Sequence, residues 1–425
     1  MEKLILWKEK ADKQPILITG PKAVGKTTII KEFAGKYYKK FIHVDLKKDK
    51  DNFLYMGKLL RKGFDEEMSR YISPDENKED ILIVFDHFDM EQAGINTFDD
   101  IIRFIVYNLM DYNICLVTLF DVKRFLSPDL LNKLDIFSMQ PISIKEFFII
   151  NNDRELLKAV ENNPEKSLSP QMLEKIKLYI KVYFITGGMP KVIQTYMNTR
   201  DLNQVNEARK EVFQDYLSEI NDISDEKLKT KVRRLYFGIT AWMDSQDKSC
   251  QYGISSYFTG IKEWEKAVEW LINRQMVIKL EALKEVKVPL ENNKKKKVFK
   301  LYYHDIGILT YAYGIQFADI IQMDYPYALK NYALIEQFVL QQLLVSELKG
   351  ASYYWMGSEK EYIEFICENR DELIPVKIEC KNGNNKIVDE YQAKYHPDLF
   401  VLITNEAFKA SEPVIKIPSF FVWNL

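Results

Sequence analysis

Glycine is scarce in this chain, and cysteine and histidine are scarcer still. Glycine makes up only 16 of the 425 residues, about half of its usual share, so two glycines close together are worth examining. The four cysteines and four histidines are widely separated and match no metal-ligand spacing, which argues against a structural zinc site. No apolar run approaches the ~18 residues that a transmembrane helix requires, and the N-terminus lacks the pattern of a signal peptide. The sequence therefore predicts a reduced protein of the cytoplasm that does not enter a membrane.

The chain also lacks an excess of charge of either sign. Its 60 lysines and arginines balance 62 aspartates and glutamates, which leaves a formal net charge of -2. Such a chain has no overall electrostatic attraction to nucleic acid or to an anionic membrane, so any such contact would be local. At roughly 150 residues per domain, the length predicts about three domains.

The first third of the chain alternates between short apolar runs and amphipathic stretches. The runs are rich in β-branched and aromatic residues, and they cover residues 15–19, 41–46, 81–86, 114–120 and 135–142. Continuous runs of this length, separated by segments compatible with helices, are typical of buried strands in a parallel sheet with crossover helices. Residues 1–145 are therefore predicted to form an α/β domain.

A phosphate-binding motif directly follows the first of these runs. The segment GPKAVGKT fits G-x-x-x-x-G-K-[ST] and lies between a predicted strand and a predicted helix, which is the context that the motif requires. The two glycines let the backbone turn so that its N–H groups converge on phosphates near the positive end of the helix. The lysine can reach the β- and γ-phosphates, and the threonine hydroxyl can bind Mg²⁺. The predicted ATP-binding residues are Gly20, Pro21, Lys22, Ala23, Val24, Gly25, Lys26, Thr27 and Thr28, with Thr27 also as a magnesium ligand.

A second magnesium ligand, Asp86, is predicted at the end of the apolar run ILIVFD. In P-loop ATPases a carboxylate at the end of a neighbouring strand holds the metal. Many of these enzymes place a glutamate next to activate water, whereas this chain has His87, with Asp89 as the nearest further carboxylate. The imidazole is either a base or a polar contact in a site that turns ATP over poorly. Thr118 is either a sensor of the γ-phosphate or a threonine whose hydroxyl is satisfied within a buried strand.

The order of motifs resembles, almost from end to end, a family of prokaryotic AAA-type ATPases that carry a C-terminal domain of restriction-endonuclease-like fold. The resemblance is carried by GPKAVGKTT (20–28), ILIVFDHFD (81–89), FSMQPISIKEFF (137–148), ITGGMPKVIQTY (185–196), KLYYHDIGIL (300–309), IEQFVLQQLL (335–344), EYIEF (361–365), IPVKIECK (374–381) and residues 395–425. The chain departs from the family at His87, where a glutamate is usual, and at Lys133, where an arginine commonly precedes the fifth strand. Both positions are expected to assist hydrolysis, so the resemblance implies ATP turnover that is slow or regulated.

The middle of the chain has helical periodicity and divides into two predicted modules. Residues 146–221 are predicted to form a helical lid, in which Gly187-Gly188 is either a sharp turn before Pro190 or a nucleotide-sensing turn. Residues 222–312 are predicted to resemble a winged helix. Its helices are expected near 225–244, 252–260 and 262–273, and its strands near 276–288 and 297–303.

The basic stretch Lys294–Lys297 lies between these two strands. It indicates either a DNA-contacting wing or a solvated hairpin tip. The helix before it carries Glu263, Glu265 and Glu269, which would face a phosphate-rich groove, so the pattern argues against DNA contact.

Residues 313–425 carry a pattern typical of PD-(D/E)-x-K nucleases. These enzymes gather two carboxylates and a lysine on one face of a strand hairpin, with a further glutamate from a preceding helix. Strands near 361–368 and 373–381 would create such a face, and the alternative is a hairpin with a charged, solvated face. A glutamate replaces the usual aspartate, so nuclease activity does not follow from the fold. The residues of this second candidate site are Glu336, Glu364, Glu379 and Lys381.

The sequence thus predicts an α/β P-loop NTPase with a parallel sheet, a helical lid, a winged-helix-like segment and a C-terminal α+β restriction-endonuclease-like domain. The predicted function is that of an AAA-type ATPase that binds Mg-ATP and acts as a nucleotide-dependent switch, with Lys26, Asp86 and His87 as catalytic residues. The alternatives are an ATP-gated nuclease that acts on nucleic acid, and a scaffold that binds ATP without hydrolysing it. The sequence leaves open whether the partner is nucleic acid or protein, and whether the chain oligomerises.

Overall fold

The chain forms two compact units in the computed structural model. The model describes residues 1–47, 71–88, 95–162, 168–244, 250–251, 261–322, 332–346, 348–358, 361–369, 372–379, 386–404, 408–411 and 413–425. Unit 1 comprises Met1–Met139 and Asn273–Gln275, and unit 2 comprises Gln140–Ile272 and Met276–Leu425. The predicted boundaries at residues 221 and 312 fall within unit 2, where they remain predictions about its internal organisation.

Unit 1 is built around a parallel five-stranded sheet. Its strands are β1 (Ile16–Thr19), β2 (Lys40–Asp45), β3 (Ile81–Asp86), β4 (Asn113–Val117) and β5 (Asp135–Ser138), in the order β2-β3-β4-β1-β5. Its helices are α1 (Glu2–Lys8), α2 (Lys26–Tyr37), α3 (Ile95–Asn108) and α4 (Pro128–Leu131). All neighbouring strands are parallel, which confirms the predicted α/β sheet, although β4 and β5 end earlier than their apolar runs do.

Both faces of this sheet are buried, because side chains alternate between them. On β3, Ile83 and Phe85 belong to one apolar cluster, whereas Leu82 and Val84 belong to a second cluster on the opposite face. This double burial explains the continuous apolar run in the sequence.

Unit 2 contains a helical first part and a mixed sheet. Its helices are α5 (Ile144–Ile150), α6 (Arg154–Asn162), α7 (Pro170–Thr186), α8 (Pro190–Thr199), α9 (Leu202–Asn221), α10 (Glu226–Asp244), α11 (Ile261–Asn273, whose last residue groups with unit 1), α12 (Ile306–Ala312), α13 (Phe317–Gln322), α14 (Tyr332–Leu343) and α15 (Lys386–Tyr395). The region predicted as a lid is therefore helical. Of the three helices predicted between 225 and 273, two correspond to α10 and α11, and residues 252–260 lie outside the described part of the chain.

The sheet of unit 2 has nine strands among the described residues. They are β6 (Cys250–Gln251), β7 (Val277–Leu283), β8 (Lys294–Tyr303), β9 (Lys349–Met356), β10 (Tyr362–Asn369), β11 (Glu372–Ile378), β12 (Phe400–Thr404), β13 (Lys409–Ser411) and β14 (Val414–Pro418), in the order β13-β14-β12-β11-β10-β9-β7-β8-β6. The predicted hairpin is confirmed, since β10 and β11 are antiparallel with Phe365 opposite Val376. The β7–β8 hairpin is continued by β9, which runs parallel to β7, so one sheet contains strands from both predicted C-terminal modules.

The basic stretch does not form a hairpin tip. Lys294–Lys297 begin strand β8, and Lys294 pairs with Leu283 of β7. The ammonium group of Lys294 lies 2.5 Å from a carboxylate oxygen of Glu281, and it also contacts Glu291. The stretch therefore begins strand β8 instead of forming the tip of the hairpin, while Lys296 and Lys297 within it are exposed.

A buried carboxylate organises the centre of unit 2. Asp305 is fully buried and begins helix α12, where its carboxylate accepts the N–H groups of Gly307 at 2.8 Å and Ile308 at 3.2 Å. The same carboxylate accepts the N–H of Gly188 at 2.6 Å and the side-chain amide of Gln341 at 3.2 Å. Three separate motifs of the sequence, GGMP, HDIGIL and EQFVLQQLL, therefore meet at one carboxylate.

The Gly187-Gly188 pair forms the sharp turn between α7 and α8. Gly187 has a φ of +59°, and a side chain at this position would place its Cβ 2.0 Å from a carboxylate oxygen of Asp305. The turn interpretation of GGMP is therefore confirmed. The approach of Asp305 is the reason for glycine at Gly187, and the approach of the Ile142 backbone is the reason at Gly188. Among the described helices, none is long and apolar enough to cross a bilayer.

Replacing Asp305 with asparagine is expected to lower the free energy of unfolding by about 1–3 kcal/mol, because an amide NH₂ would face N–H donors and leave at least one unpaired. The measurement is equilibrium denaturation at neutral pH. Asp201→Asn is the matched control, since Asp201 begins α9 at a partly exposed position and asparagine is an equally good residue there. Equal stability of the two variants would contradict the central role of Asp305.

Burial raises the pKa of Asp305 from 3.8 to about 6, although its hydrogen bonds act in the opposite direction. Because the folded chain then binds this proton more tightly than the unfolded chain does, the stability contributed by Asp305 falls as the pH rises from about 4 to 6 and is constant above that interval. We expect the difference in stability between the wild type and Asp305→Asn to change across this interval. If the difference in stability between the two proteins were independent of pH, the raised pKa of Asp305 would be contradicted.

Candidate nucleotide-binding site

The loop between β1 and α2 has the backbone geometry that its two glycines make accessible. Gly20 has a φ of +149° and Gly25 a φ of +91°, and Ala23 between them also has a positive φ of 65°. A Cβ on Gly20 would lie 2.3 Å from the carbonyl oxygen of Met139. The loop therefore requires glycine at Gly20 for both conformation and space.

Lys26 is folded over this loop. Its ammonium group donates to the carbonyl oxygens of Gly20 and Pro21, each at 2.7 Å, and the residue is buried. The carbonyl groups of the loop thus hold the lysine side chain within the loop. A phosphate in the loop would lie within reach of the same ammonium group.

Thr27 and Asp86 meet although they are far apart in the sequence. The Thr27 hydroxyl donates to the Asp86 carboxylate at 2.8 Å. Asp86 ends β3 with 1% of its surface exposed, and it also accepts the backbone N–H of His87 at 2.8 Å. A hydroxyl and a carboxylate in contact fit Mg²⁺, which takes one or two protein oxygens and completes its shell with phosphate and water. Among the described residues there is no group of three or more His, Cys, Asp or Glu that could hold a metal by itself.

His87 lies beside this pair in an unusual backbone conformation. Its φ is +55°, a region that costs a residue with a side chain about 1–2 kcal/mol. Its ring Nδ1 lies 2.9 Å from a carboxylate oxygen of Asp45, and 41% of its side chain is exposed. A carboxylate accepts hydrogen bonds only, so Nδ1 carries the proton and Nε2 of the neutral ring carries the lone pair.

Two residues of this site, His43 and Asp45, are absent from the sequence-based predictions. The ring Nε2 of His43 lies 3.1 Å from the Asp86 carboxylate. Asp45 ends β2 and is the register partner of Asp86. The sequence contained a signal for Asp45, which is a polar residue at the end of the second apolar run. Adjacent parallel strands end at the same edge of a sheet, so this residue could have been expected near Asp86.

The remaining predictions for unit 1 have mixed outcomes. The Thr118 hydroxyl donates to the carbonyl of Phe88 at 2.7 Å and accepts the N–H of Phe120 at 3.1 Å, so the structure favours its role within the strand end. Lys133 places its ammonium group 5.1 Å from the ring centre of Tyr107. Asp89 lies outside the described residues.

The carboxylates of the second candidate site are buried and paired with lysines. The Lys300 ammonium and the Tyr302 hydroxyl donate to Glu336 at 2.9 and 2.6 Å. Glu336 is 1% exposed, so its side chain lies in the interior of unit 2.

Glu364 is enclosed in the same manner. Lys377, opposite it on β11, and the backbone N–H of Ile378 donate to it at 2.9 Å each, and the Tyr332 hydroxyl also donates to it. Because Glu364 is 2% exposed, the expectation of a solvated charged face was wrong, and the reason is the cover provided by Tyr332. Glu379 lies 3.9 Å from Lys416, and Lys381 lies outside the described residues.

Comparison with known proteins identifies the class of unit 1. Residues 12–148 match the model of an AAA domain, and residues 178–319 match that of a domain of unknown function, DUF8612. No curated protein matches the chain. The first match covers the P-loop and the parallel sheet, so this part of the chain is similar to the ATPase domains of the AAA class, which bind nucleotide.

Three solved structures are among those similar to the chain. They are PCH-2 of C. elegans (17% identity, TM-score 0.29, 47% of this chain and 60% of that chain), Drosophila ORC bound to DNA (14%, 0.29, 74% and 94%) and domain III of the replication initiation protein DnaA of Thermotoga maritima (13%, 0.24, 50% and 90%). The chain thus spans 60% of the PCH-2 chain. At these identities and TM-scores the likeness does not bear on function.

Gly20→Ala is expected to disrupt the loop, because its Cβ would overlap the Met139 carbonyl at 2.3 Å, and to lower the melting temperature and abolish nucleotide binding. The matched control is Gly35→Ala in helix α2, where a Cβ would meet nothing within 4 Å and where alanine stabilises a helix by about 0.5–1 kcal/mol. Thermal denaturation with and without nucleotide measures both variants. Nucleotide binding by Gly20→Ala equal to that of the wild type would contradict the loop assignment.

Proposed function

We propose that the protein binds Mg-ATP at the P-loop and hydrolyses it slowly or under regulation, so that the bound nucleotide acts as a switch. The observation that carries the proposal is the contact between Thr27 and Asp86 at 2.8 Å beside the enclosed ammonium group of Lys26. These groups come from a loop and from a separate strand, and their chemistry matches the needs of a triphosphate with its metal.

Each group has a definite task in this proposal. The N–H groups of the P-loop bind the phosphates, and Lys26 exchanges its carbonyl partners for phosphate oxygens and neutralises charge on the transferred group. Thr27 and Asp86 would hold Mg²⁺, which would neutralise charge on the phosphates. His43 and the N–H of His87 keep the Asp86 carboxylate oriented.

His87 and Asp45 replace the water-activating glutamate. Asp45 fixes the tautomer of the ring, so that Nε2 is the atom that accepts a proton from the attacking water. The partly exposed ring is accessible to water, whereas the strained backbone holds it beside Asp86. A base of this kind supports turnover, and its dependence on a second residue makes it sensitive to small shifts of the strands.

The buried lysine–glutamate pairs favour this function over an ATP-gated nuclease. Glu336 and Glu364 are both directed at lysines and tyrosines, and a metal would have to displace these partners. We propose that the C-terminal sheet is of restriction-endonuclease-like type without nuclease activity, and that the protein works in the cytoplasm with a protein or nucleic-acid partner that responds to the switch.

We expect Lys26→Ala to abolish Mg²⁺-dependent phosphate release and the rise in melting temperature that ATP produces, because the variant loses the charge that binds the phosphates. Lys31→Ala is the matched control, since Lys31 is exposed on the same helix. Phosphate release and thermal shifts are measured on both purified variants. A thermal shift without turnover in the wild type would favour the ATP-binding scaffold. The absence of both turnover and a thermal shift in the wild type would contradict nucleotide binding.

A double-mutant cycle tests the pair formed by Asp45 and His87. His87→Ala is expected to lower kcat by about 10²-fold with little change in KM, and Asp45→Asn by about tenfold. A glutamate side chain has no tautomers that Asp45 could select. Asp45→Asn is therefore expected to have little effect when His87→Glu is also present. An equal loss from Asp45→Asn in both backgrounds would show that Asp45 does not act through the imidazole.

A further inference from the structure

Three residues from far along the chain belong to unit 1. Asn273–Gln275, which we call the junction segment, end helix α11 and precede strand β7, yet they group with the first 139 residues. Each of them contacts the turn that follows β4, residues 118–124. This turn lies at the edge of the sheet where the P-loop begins.

Asn273 and Arg274 hold the outer part of this turn. The backbone carbonyl of Asn273 accepts the N–H of Asp121 at 3.3 Å, and its side-chain oxygen accepts from Arg124 at 3.1 Å. The guanidinium group of Arg274 lies 5.2 Å from the ring centre of Phe120. Arg274 is buried, so this cation–π contact is desolvated and strong for its type.

Gln275 reaches the strand that leads into the P-loop. Its side-chain amide donates to the Thr19 hydroxyl and to the Leu119 carbonyl, each at 2.7 Å. The Thr19 hydroxyl donates in turn to the carbonyl of Phe120. Thr19 is the residue before Gly20, whose carbonyl holds Lys26. One peptide bond therefore separates the partner of Gln275 from the P-loop.

The backbone conformation at Gln275 is one that usually favours glycine. Its φ is +52°, and the N–H of Met276 donates to the carbonyl of Leu271 at 2.9 Å, which is the pattern of a helix end that usually has glycine in the left-handed position. A residue with a side chain has a conformational cost there. The two 2.7 Å hydrogen bonds of the amide offset this cost, so the side chain at Gln275 is held for its contacts with Thr19 and Leu119.

We propose that the junction segment relays the nucleotide state of the P-loop to strand β7, with Gln275 as the positioning residue at Thr19 and Leu119. The proposal rests on the ATP binding proposed above. Strand β7 begins at Val277, two residues after Gln275, so a shift of the P-loop or of the β4 turn acts directly on the chain that enters the nine-stranded sheet. Loss of the Gln275 side-chain amide leaves the nucleotide site in place, but it removes the coupling of that site to β7.

The test is hydrogen exchange of the full chain, followed by mass spectrometry, with and without a non-hydrolysable Mg-ATP analogue. In the wild type, we expect the analogue to change exchange in peptides of residues 16–37 and of β7. In Gln275→Gly, we expect the affinity for the analogue to stay within about threefold, the change in residues 16–37 to remain, and the change in β7 to be lost. Thr19→Val removes the hydroxyl from the other side of the contact and is expected to give the same result.

Arg200→Gly is the matched control, because Arg200 ends helix α8 with the same φ of +52° and is exposed. It is expected to keep the response of β7, which separates relief of backbone strain from loss of the amide. An unchanged response of β7 in both Gln275→Gly and Thr19→Val, or no response of β7 in a wild type that responds in residues 16–37, would overturn the relay alone. No response in residues 16–37 of the wild type would overturn the proposed ATP binding together with the relay.

Discussion

A buried carboxylate needs hydrogen-bond donors around it, and this requirement determines the centre of each unit. In unit 1, Asp86 is covered by Thr27, His43 and the N–H of His87. In unit 2, Asp305 is covered by three backbone N–H groups and an amide. An ionised group without such donors would cost several kcal/mol, so the loops that supply them cannot vary freely. Gly187 is one of the glycines at which a backbone must approach closely, because a Cβ there would overlap the Asp305 carboxylate.

The same requirement has a different consequence in the C-terminal sheet. There the carboxylates of Glu336 and Glu364 are matched by the ammonium groups of Lys300 and Lys377. Such pairs hold the strands and the helix in a single arrangement, since removing one partner leaves an uncompensated buried charge. A nuclease needs the opposite, namely carboxylates that remain available to a metal. The side chains that resemble a catalytic set therefore have a structural explanation.

Periodicity within a segment predicted more of this structure than contacts between segments did. The apolar runs predicted the parallel sheet, and the alternation of residues predicted the hairpin of β10 and β11. The burial of Glu364 was not predictable, because its cover comes from Tyr332 on a separate helix. Asp45 joins the nucleotide site only through the register of β2 against β3, and no local pattern shows that register. The P-loop was predictable because its function and its local geometry depend on the same consecutive residues.

The exchange of a glutamate for His87 changes what hydrolysis depends on. A glutamate has two equivalent oxygens, whereas a neutral imidazole has a single basic nitrogen, and its hydrogen-bond partner determines which of the two ring nitrogens that is. In the proposed mechanism that partner, Asp45, lies on β2, the edge strand of the sheet, whose side chains are mostly only partly buried. An edge strand has neighbours on one side alone and is freer to shift than a central strand. Hydrolysis would then respond to whatever contacts this edge, while ATP binding would rely on the central strands β1 and β3 and stay constant. This separation of binding from turnover is the property that a nucleotide-dependent switch requires.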